Sequence, residues 1–531
     1  MHWADRLASG IISNAPDKVE YVCAAGISPS GSIHIGNFRD IATAHFVCQA
    51  LRRRGEKARL LFSWDEFDRF RKIPANVAEL RDDFGQHLGK PYADVPDPFG
   101  CCASYARHFE KEFERALSTF KIDVDFRYQA TEYRSGRYTK HIVSAMEKRM
   151  DIFDILDRFK TQDSTQEERE NYYPVSIYCP NCGKDDPSIS SYHRDTHCAE
   201  YVCKCGHSDV FCFDTDFNCK LSWKIDWPMR WMAEGVDFEP GGKDHSSPAG
   251  SFQTSRIIAQ KVLKAKVPIY QGYEFIGIKG RTGKMSGSTG LNLTPEALFK
   301  VYQPELILWL YAKTDPMKAF NFCFDEEILR QYAEFDKSYT AYRDGTANEL
   351  LSDVMHFASI PGRDIKTVPM QQLASFGSIV EFSPALLETI FDKIGTPYSR
   401  GDFEERITLA RYWLENCSPE SVYRLQKEFD ADFYTSLPRE EQNELLLLRD
   451  YIAGGGYSMD DLQTFLYAVP STVRGLIADT KELKKYQGAF FRNVYHLLLG
   501  KEKGPRLYLF LFALDKSDYL RLLPAGNTDV R

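Results

Sequence analysis

Residues 26–37 read GISPSGSIHIGN, where glycine, proline and serine separate a short apolar run from a helical pattern. The run before them, 19–25 (VEYVCAA), has the β-branched and aromatic composition of a buried strand. After them, apolar residues recur every three or four positions until Gly55, which predicts an amphipathic helix. The stretch therefore predicts a strand, a glycine-containing turn and a helix.

The start of that helix is suited to a phosphate group. Its first main-chain N–H groups have no partner within the helix and attract anions, and His34 can donate a hydrogen bond to a phosphate oxygen. An ordinary capped helix with an exposed histidine is the alternative, because His-Ile-Gly-Asn is a short combination of common residues.

A second apolar run, 58–64 (ARLLFSW), predicts another strand of a βαβ unit. Asp65, Glu66 and Asp68 follow it directly. Since parallel sheets bind ligands at the carboxyl ends of their strands, these acids could meet a cationic group of a substrate. Solvated loop carboxylates are the commoner alternative.

The composition limits the classes of protein to consider. The chain has 531 residues, 43% of them hydrophobic, which is too long for one core and suggests three or four structural units. The net charge of −8 argues against a generally basic coat for nucleic acid, so any RNA contact must come from local basic patches. The sequence lacks a secretory pattern and a bilayer-spanning run, so we expect a cytoplasmic protein with no membrane contact.

Prolines between 74 and 98 interrupt the pattern and mark the start of an insertion. Ser104 is placed to cap a helix with an aromatic stripe, which is most simply core. Cys101, Cys102 and His108 lie close together there. They could form part of a second metal site, but buried thiols near a helix start are the simpler interpretation.

Two cysteine pairs about twenty residues apart stand in 178–207: Cys179 and Cys182 in CPNCG, Cys203 and Cys205 in CKCGH. Zinc takes four soft ligands in a tetrahedron, so the pairs predict a structural Zn²⁺ site with no open position for catalysis. The second pair is one residue short, which makes His207 an alternative to Cys205; a reduced, metal-free loop is the other alternative. Other cysteines are expected to be free thiols. The spare ligand candidates are His193, His197 and Cys198.

Tryptophans recur at a spacing of four in 221–231 (LSWKIDWPMRW), and GKDH follows at 242–245. Pro228 makes a continuous helix doubtful. The tryptophans form either a core cluster or an apolar wall for the methylene stem of a substrate, closed by polar groups of the GKDH turn. Further on, 273–278 (YEFIGI) predicts a strand that runs into KMSGS at 284–288.

Beyond Leu291 the pattern becomes helical. Helices at 321–335 and 336–351 are predicted to form a connecting unit, and a break containing proline and glycine at 357–369 marks a domain boundary. Seven further helices are predicted: 370–380, 384–394, 402–415, 418–428, 438–452, 458–468 and 484–499.

Several blocks occur in an informative order: GISPSG, HIGN, WDEFDRFRK, PDPFG, KLSWKIDWPMRW, GKDH, YEFIGIKG and KMSGS. Together they resemble the class I lysyl-tRNA synthetase family, and they cover most of the first 290 residues. Asn37 replaces the second histidine of the general class I signature and Gly287 the second lysine, which leaves Lys284 as the single lysine of KMSGS. The resemblance implies a Rossmann-like catalytic domain, ATP with Mg²⁺, L-lysine and tRNA(Lys).

The resemblance also implies that lysyl-adenylate forms first and that the lysyl group then passes to the 2′-hydroxyl of the terminal adenosine. Such chemistry needs positioning and charge neutralisation rather than a protein nucleophile. The residues implied for catalysis are His34, Lys284, Ser286 and Ser288. Those implied for ATP are His34, Gly36, Asn37, Gly242, Asp244 and Lys284. Those implied for lysine are Gly26, Ser28, Trp223, His245 and Tyr273.

The predicted architecture is an α/β catalytic domain with a Rossmann-like parallel sheet and a zinc-bearing insertion, followed by an all-α region, in a chain expected to be monomeric. Its predicted divisions are catalytic halves at 1–75 and 216–290, the insertion at 76–215, a helical connecting unit at 291–360 and an all-helical anticodon-binding domain at 361–531. A generic helical tail is the alternative for the last division.

Three other functions stay open. A related class I synthetase for glutamate or glutamine would share the architecture. A non-tRNA adenylate-forming nucleotidyltransferase would share the paired motifs, but such enzymes are usually shorter. A catalytically silent relative that binds RNA is disfavoured because both phosphate motifs are intact.

Overall fold

The computed structural model of the chain describes residues 1–160, 162, 164–248, 250–280, 293–476 and 481–525. The chain forms two compact units. The first unit comprises Met1–Phe322 and Ala341–Arg363, and the second comprises Cys323–Thr340 and Asp364–Arg531.

The first unit is of the α/β type. Its strands in chain order are β1 (Tyr21–Ile27), β2 (Ala58–Trp64), β3 (Asp125–Tyr128), β4 (Val175–Ile177), β5 (Pro187–His193), β6 (Cys198–Cys203), β7 (Ser208–Cys212), β8 (Cys219–Leu221), β9 (Phe238–Gly242), β10 (Ile269–Tyr273), β11 (Gly277–Ile278) and β12 (Asn321–Phe322). Its helices are α1 (Trp3–Asn14), α2 (Ile35–Arg53), α3 (Ala75–Ala78), α4 (Tyr105–Thr119), α5 (Gln129–Arg134), α6 (Thr139–Glu147), α7 (Arg149–Asp157), α8 (Gln166–Glu170), α9 (Trp223–Glu234), α10 (Lys243–Ser246), α11 (Ser251–Ile258), α12 (Pro295–Leu298) and α13 (Pro304–Lys313). Two more follow, α14 (Glu327–Arg343), which carries residues of both units, and α15 (Glu349–Ala358).

Five parallel strands form the central sheet in the order β10-β9-β1-β2-β3. The chain leaves β1 toward β2 and β3 on one side and returns on the other side with β9 and β10. Because the strand order reverses between β1 and β9, the crevice outside their carboxyl ends is the expected place for a ligand.

The glycine-containing stretch folds as predicted, into β1, a turn and α2. β2 occupies the predicted 58–64. The predicted strand at 273–278 is wrong, because β10 ends at Tyr273 and the main-chain N–H of Glu274 donates to Pro316 O outside the sheet. Only β11 continues the extended chain, and it pairs with β12.

α2 is buried over most of its surface rather than along a single apolar face. Even Arg39, in its second turn, is only 2% exposed. Its guanidinium donates hydrogen bonds to main-chain carbonyl oxygens at 2.8 to 3.0 Å. These hydrogen bonds compensate the burial of its charge. These acceptors belong to Glu274, Asp315 and Lys318.

The segment between β3 and β9 carries two small antiparallel sheets, β4-β8 and β5-β6-β7. A disulfide joins Cys198 on β6 to Cys212 on β7. The prediction of free thiols is therefore wrong for this pair, because the two residues lie directly opposite each other on neighbouring strands, with Cα atoms 4.0 Å apart.

α9 is continuous although Pro228 lies inside it, so the doubt raised by the proline was wrong. Proline cannot donate the main-chain hydrogen bond that would normally reach the carbonyl oxygen four residues earlier, that of Lys224. The Ser255 hydroxyl of α11 donates to this oxygen instead, at 3.1 Å. A tertiary hydrogen bond thus compensates a local defect of the helix.

The described residues of the second unit are helical. Its helices beyond α14 are α16 (Met370–Ile379), α17 (Pro384–Lys393), α18 (Arg400–Asn416), α19 (Ala431–Ser436), α20 (Arg439–Gly454), α21 (Met459–Arg474), α22 (Lys481–Leu499), α23 (Leu507–Ala513) and α24 (Lys516–Leu520). Within the described ranges, no single helix combines the length and apolarity needed to cross a bilayer, and α16 with α17 would do so only as a pair bent by 119°.

Two helix predictions were wrong in this part of the chain. At 418–428 only a short turn, Pro419–Ser421, is helical, because the main-chain N–H of Gln426 donates to Leu498 O instead of to its own segment. At 321–351 the predicted division is misplaced, since 321–322 form β12 and α14 runs on to Arg343.

Replacing Ser255 with alanine should destabilise the first unit by about 1 to 2 kcal/mol, because the carbonyl oxygen of Lys224 loses its donor. In a Pro228→Ala background the restored main-chain N–H supplies that donor, so Ser255→Ala should cost little. Thermal melting of the four variants of this double-mutant cycle measures the coupling. Equal costs in both backgrounds would contradict the explanation.

Candidate active site

A cavity of about 710 Å³ opens at the carboxyl ends of β1, β2 and β9, where the strand order reverses. Most of the site residues predicted from the sequence line it: Gly26, Ser28, His34, Asn37, Trp223, Gly242, His245 and Tyr273. Gly36 and Asp244 are not among its lining residues. Lys284, Ser286 and Ser288 lie outside the described residues.

The start of α2 forms one wall of the cavity. His34 is the N-cap residue, and its Nδ1 accepts a hydrogen bond from the main-chain N–H of Asn37 at 3.2 Å. Gly36 supports this arrangement from behind, since a Cβ atom there would lie 3.0 Å from the His34 ring. His34 is 8% exposed, so the exposed histidine of the alternative interpretation is wrong.

The acids after β2 are not solvated loop carboxylates. Asp65 and Glu66 are 5% and 4% exposed. Glu66 accepts hydrogen bonds from the main-chain N–H groups of Gln129 and Ala130 at 2.9 and 2.8 Å, and burial raises its pKa to about 8. Glu66 therefore anchors the start of α5, which is a structural role.

Asp226 lies at the centre of a buried chain of charges beside the cavity. It is 0% exposed and pairs with Lys220 at 3.1 Å and with Arg230, one turn further along α9, at 2.7 Å. Burial acts to raise the pKa of Asp226, but the two cations hold it below its usual value. The chain continues at both ends, from Arg230 to Asp65 at 2.6 Å and from Lys220 to Asp68 at 2.7 Å.

This chain of charges reaches the predicted amino-acid pocket through Ser28, whose hydroxyl donates to Asp68 Oδ2 at 2.9 Å. Asp65 and Asp68 therefore each have a cationic partner. Sequence reasoning missed Lys220, Asp226 and Arg230, although all three stand in the block KLSWKIDWPMRW. Their charges within an otherwise aromatic segment were the available signal, because buried charges are rare unless paired.

The tryptophans of α9 form an aromatic wall, as their spacing of four on a helix requires. The rings of Trp223 and Trp227 stack at 5.1 Å between centroids, and those of Trp227 and Trp231 lie 5.3 Å apart. His245 approaches the rings of Trp223 and Trp227 at 6.4 and 5.8 Å. An apolar wall with a polar edge therefore faces the cavity.

The four cysteines of the predicted zinc site come together beside β5-β6-β7. The ligand atoms of Cys179, Cys182, Cys203 and Cys205 all lie within 4.8 Å of one another. This donor set suits a tetrahedral zinc ion without any further ligand. The alternative ligand and the spare candidates are not in this group: His207, His193, His197 and Cys198.

A second group of possible metal ligands surrounds the start of α4. Asp97, Cys101, Cys102 and His108 bring one ligand atom each within 4.8 Å of the others, and Cys101 Sγ lies 3.2 Å from His108 Nδ1. The interpretation as buried thiols is wrong, because Cys101 is exposed and Cys102 is half-buried. Their chemistry is therefore accessible to solvent.

A helix start at the end of a central parallel strand, joined to a polar cavity with an aromatic wall, defines an α/β enzyme that binds a nucleotide together with a second, partly apolar substrate. Comparison with known proteins narrows this class. Residues 1–360 match the family model described as tRNA synthetases class I (K). The chain belongs to this family.

Proteins named lysine–tRNA ligase are similar to the chain over nearly its whole length. That of Pyrococcus horikoshii is 35% identical, with 98% of this chain and 99% of that protein covered. Those of Thermococcus kodakarensis and Streptomyces coelicolor are each 34% identical, covering 98% of this chain and 99% and 98% of theirs. A solved glutamate-tRNA synthetase from Elizabethkingia anophelis has a TM-score of 0.45 at 11% identity over 95% of this chain and 99% of that one, which is too weak a likeness to support an argument.

Asp226→Asn should destabilise the first unit by roughly 3 to 5 kcal/mol at pH 7, because Lys220 and Arg230 lose the carboxylate that compensates their burial. Since the folded-state pKa of Asp226 lies below that of an unfolded aspartate, about 3.9, the wild-type advantage is complete above that pH. It is lost as the pH falls further, through the folded-state pKa.

Thermal melting from pH 7 down to about pH 3 measures both the difference and its loss. Asp94→Asn is the matched control, since Asp94 is paired with Arg134 at the surface, where a pair contributes about 0 to 1 kcal/mol. Similar losses for both variants, or an Asp226→Asn deficit that already disappears by pH 6, would contradict the role of the buried pair.

Proposed function

We propose that the chain activates L-lysine with ATP to lysyl-adenylate and transfers the lysyl group to the 2′-hydroxyl of the terminal adenosine of tRNA(Lys). The observation that carries the proposal is the sequence similarity to lysine–tRNA ligases. The identity is 34 to 35%, and the aligned region covers 98% of the chain. The cavity agrees with it, since five acidic side chains against three arginines favour a cationic amino acid over glutamate. Glutamate would be the substrate under the nearest alternative function, that of a related class I synthetase.

In the first step the lysine carboxylate attacks the α-phosphate in line with the departing pyrophosphate, so that a carboxylate O–P bond forms as the bond to pyrophosphate breaks. The positive end of the α2 helix dipole and the ring of His34 favour phosphate oxygens at this place as their charge redistributes. Mg²⁺ bound to the triphosphate neutralises part of its charge.

The remaining residues position the two substrates. We assign Gly36, Asn37, Gly242 and Asp244, with His34, to ATP, and Lys284, Ser286 and Ser288 to its triphosphate. Gly26, Ser28, Trp223, His245 and Tyr273 are assigned to lysine. All five residues line the cavity, which supports this assignment. The methylene stem of lysine packs on the aromatic wall of α9.

The helices of the second unit are assigned to the anticodon arm of tRNA. Exposed cations on α22, such as Lys481, Lys485 and Arg492, support this assignment, because phosphate contacts dominate the affinity of proteins for nucleic acids. A monomeric state and a cytoplasmic location stay predictions.

The wild-type chain, given ATP, Mg²⁺ and bulk tRNA, is expected to charge tRNA with lysine and not with glutamate or glutamine. Lys284→Ala should lower the rate of charging far more than it weakens lysine binding, because the charge that Lys284 neutralises grows only along the reaction. Acid-precipitable labelled aminoacyl-tRNA gives the rate and the KM for lysine. Lys261→Ala, an exposed lysine of the same unit, is the control; equal changes in rate and KM would count against the role of Lys284.

We further propose that Cys179, Cys182, Cys203 and Cys205 hold a structural Zn²⁺ ion. Their mutual distances within 4.8 Å and the four-thiol donor set support this ion over Mg²⁺, which prefers oxygen ligands. With four protein ligands the ion would fix the fold of 178–207 and take no part in catalysis.

Cys182→Ser should lower the zinc content of the purified chain and increase proteolytic cleavage within 178–207, because a structural zinc site holds local folding energy. Cys417→Ser, a half-buried thiol of the second unit, is the control and should leave both unchanged. Plasma mass spectrometry and limited proteolysis provide the measurements. Wild-type protein free of zinc after purification without chelator would refute the assignment.

A further inference from the structure

The disulfide between Cys198 and Cys212 stands apart from the other cysteines of the described chain. Eleven cysteines are free thiols, and six of them are buried. In reducing compartments, where thiols stay free, disulfides are rare and are usually transient, catalytic or redox-sensing. The free thiols of the chain therefore favour a reversible bond at this pair.

The disulfide lies on the solvent face of the β6–β7 hairpin, residues 198–212. The buried side chains of the two strands alternate with exposed ones, and they are Ala199, Tyr201, Cys203 and Phe211. Since successive side chains of a strand point to opposite faces, Cys198 and Cys212 belong to the other face, which also carries the exposed Val210. Both cysteines are half-buried, so a small soluble thiol can reach the bond.

The two cysteines are held opposite each other by more than the bond between them. On one side of the bond, Ala199 pairs with Phe211 in the strand register. On the other side, the main-chain N–H of Phe213 donates to the carbonyl oxygen of His197 at 3.1 Å. Ala199, Phe211 and Phe213 also belong to one buried core cluster. Reduction therefore leaves the two thiols in register, where they can form the bond again.

The same hairpin carries two of the four cysteines of the proposed zinc site. Cys203 ends β6, and Cys205 lies in the turn that leads to β7. The main-chain N–H of Cys203 donates to His207 O across this turn at 2.8 Å. The Cys198–Cys212 bond stands at the opposite end of the strand register. The disulfide and the four-thiol site thus close the two ends of one hairpin.

We propose that Cys198 and Cys212 form a redox modification site, at which a small-molecule disulfide closes the bond and a small-molecule thiol opens it. The closed form restrains opening of the β6–β7 hairpin and thereby protects the thiols of Cys203 and Cys205. The site goes beyond the proposed function, and only its consequence for metal retention rests on the proposed Zn²⁺ ion.

The exchange needs no group other than the pair and the small-molecule disulfide. The thiolate of one cysteine attacks a sulfur of that disulfide, which forms a mixed disulfide and releases one small thiolate. The thiolate of the second cysteine then attacks the sulfur of the first, which forms the Cys198–Cys212 bond and releases the second small thiolate. The pair loses two electrons and two protons, and the small-molecule disulfide takes them up as two thiols.

A cross-link at the open end restrains the hairpin because it removes conformations from the opened chain. Cys198 and Cys212 are 14 residues apart in the sequence. Closing a loop of this size disfavours the opened state by about 10- to 100-fold in the chain-entropy description. Main-chain hydrogen exchange reports such local opening.

The first experiment tests the site itself on the full-length chain, equilibrated with reduced and oxidised glutathione in different ratios. Peptide mapping after alkylation should find Cys198 linked to Cys212 in excess oxidised glutathione and both cysteines alkylated in excess reduced glutathione. Cys417→Ser, which alters a half-buried thiol of the second unit, should behave like the wild type. A pair that stays alkylated in excess oxidised glutathione, or linked in excess reduced glutathione, would overturn the proposal.

The second experiment measures hydrogen exchange of the main-chain amides in 198–212. Exchange should be about 10-fold or more faster in the reduced wild type than in the oxidised wild type. The double variant Cys198→Ser, Cys212→Ser should exchange like the reduced chain under both conditions. Equal exchange in oxidised and reduced wild type would overturn the restraint on the hairpin. This comparison needs no substitution, so it decides the point even where the double variant does not fold.

Metal release separates this proposal from the zinc assignment. A chelator that forms a coloured zinc complex should withdraw Zn²⁺ about 10-fold or more faster from the chain reduced with a phosphine than from the oxidised chain. Equal release rates from a zinc-containing chain would overturn the protection of Cys203 and Cys205. A wild-type chain without zinc refutes the zinc assignment alone, and hydrogen exchange then decides the restraint on the hairpin.

Discussion

The ion pairs of Asp226 with Lys220 and Arg230 are the constraint on which the site depends. They join β8, at the end of the insertion, to α9, and through Asp65 and Asp68 they reach the loop after β2. Asp226 is completely buried, so losing a partner would leave an uncompensated charge in a medium of low polarity. This requirement holds the aromatic wall of α9 against the loop after β2.

The same requirement decides which acids of the cavity still offer net charge to a ligand. Acids that already have a cation, such as Asp68, orient neighbours like Ser28 and offer little net charge to a ligand. Acids without one keep their attraction for a cation. Adenylate formation needs no protein nucleophile, so rate depends on holding a carboxylate and a phosphate in line.

Much of the fold was predictable because its signals are local. The alternation of apolar composition with glycine and proline predicted β1, α2 and β2, and the sheet confirmed them. Predictions failed where a distant partner replaced a local one. Ser255 keeps α9 continuous through Pro228, and Leu498 draws Gln426 out of a predicted helix. The extended chain after Tyr273 likewise leaves the sheet for a partner near Pro316.

The sequence by itself determined the class of the protein, the family to which its blocks belong and the chemical types present at the site: the helix-start histidine, the cysteine pairs and the tryptophans of α9. Only the tertiary structure decided which acids are neutralised. The letters of Asp65 and Asp68 do not show that Arg230 and Lys220 neutralise them, because a carboxylate is the same group wherever it stands. Whether it attracts a ligand depends on which cations the fold brings within a few ångströms. Those cations are up to 165 residues away along the sequence.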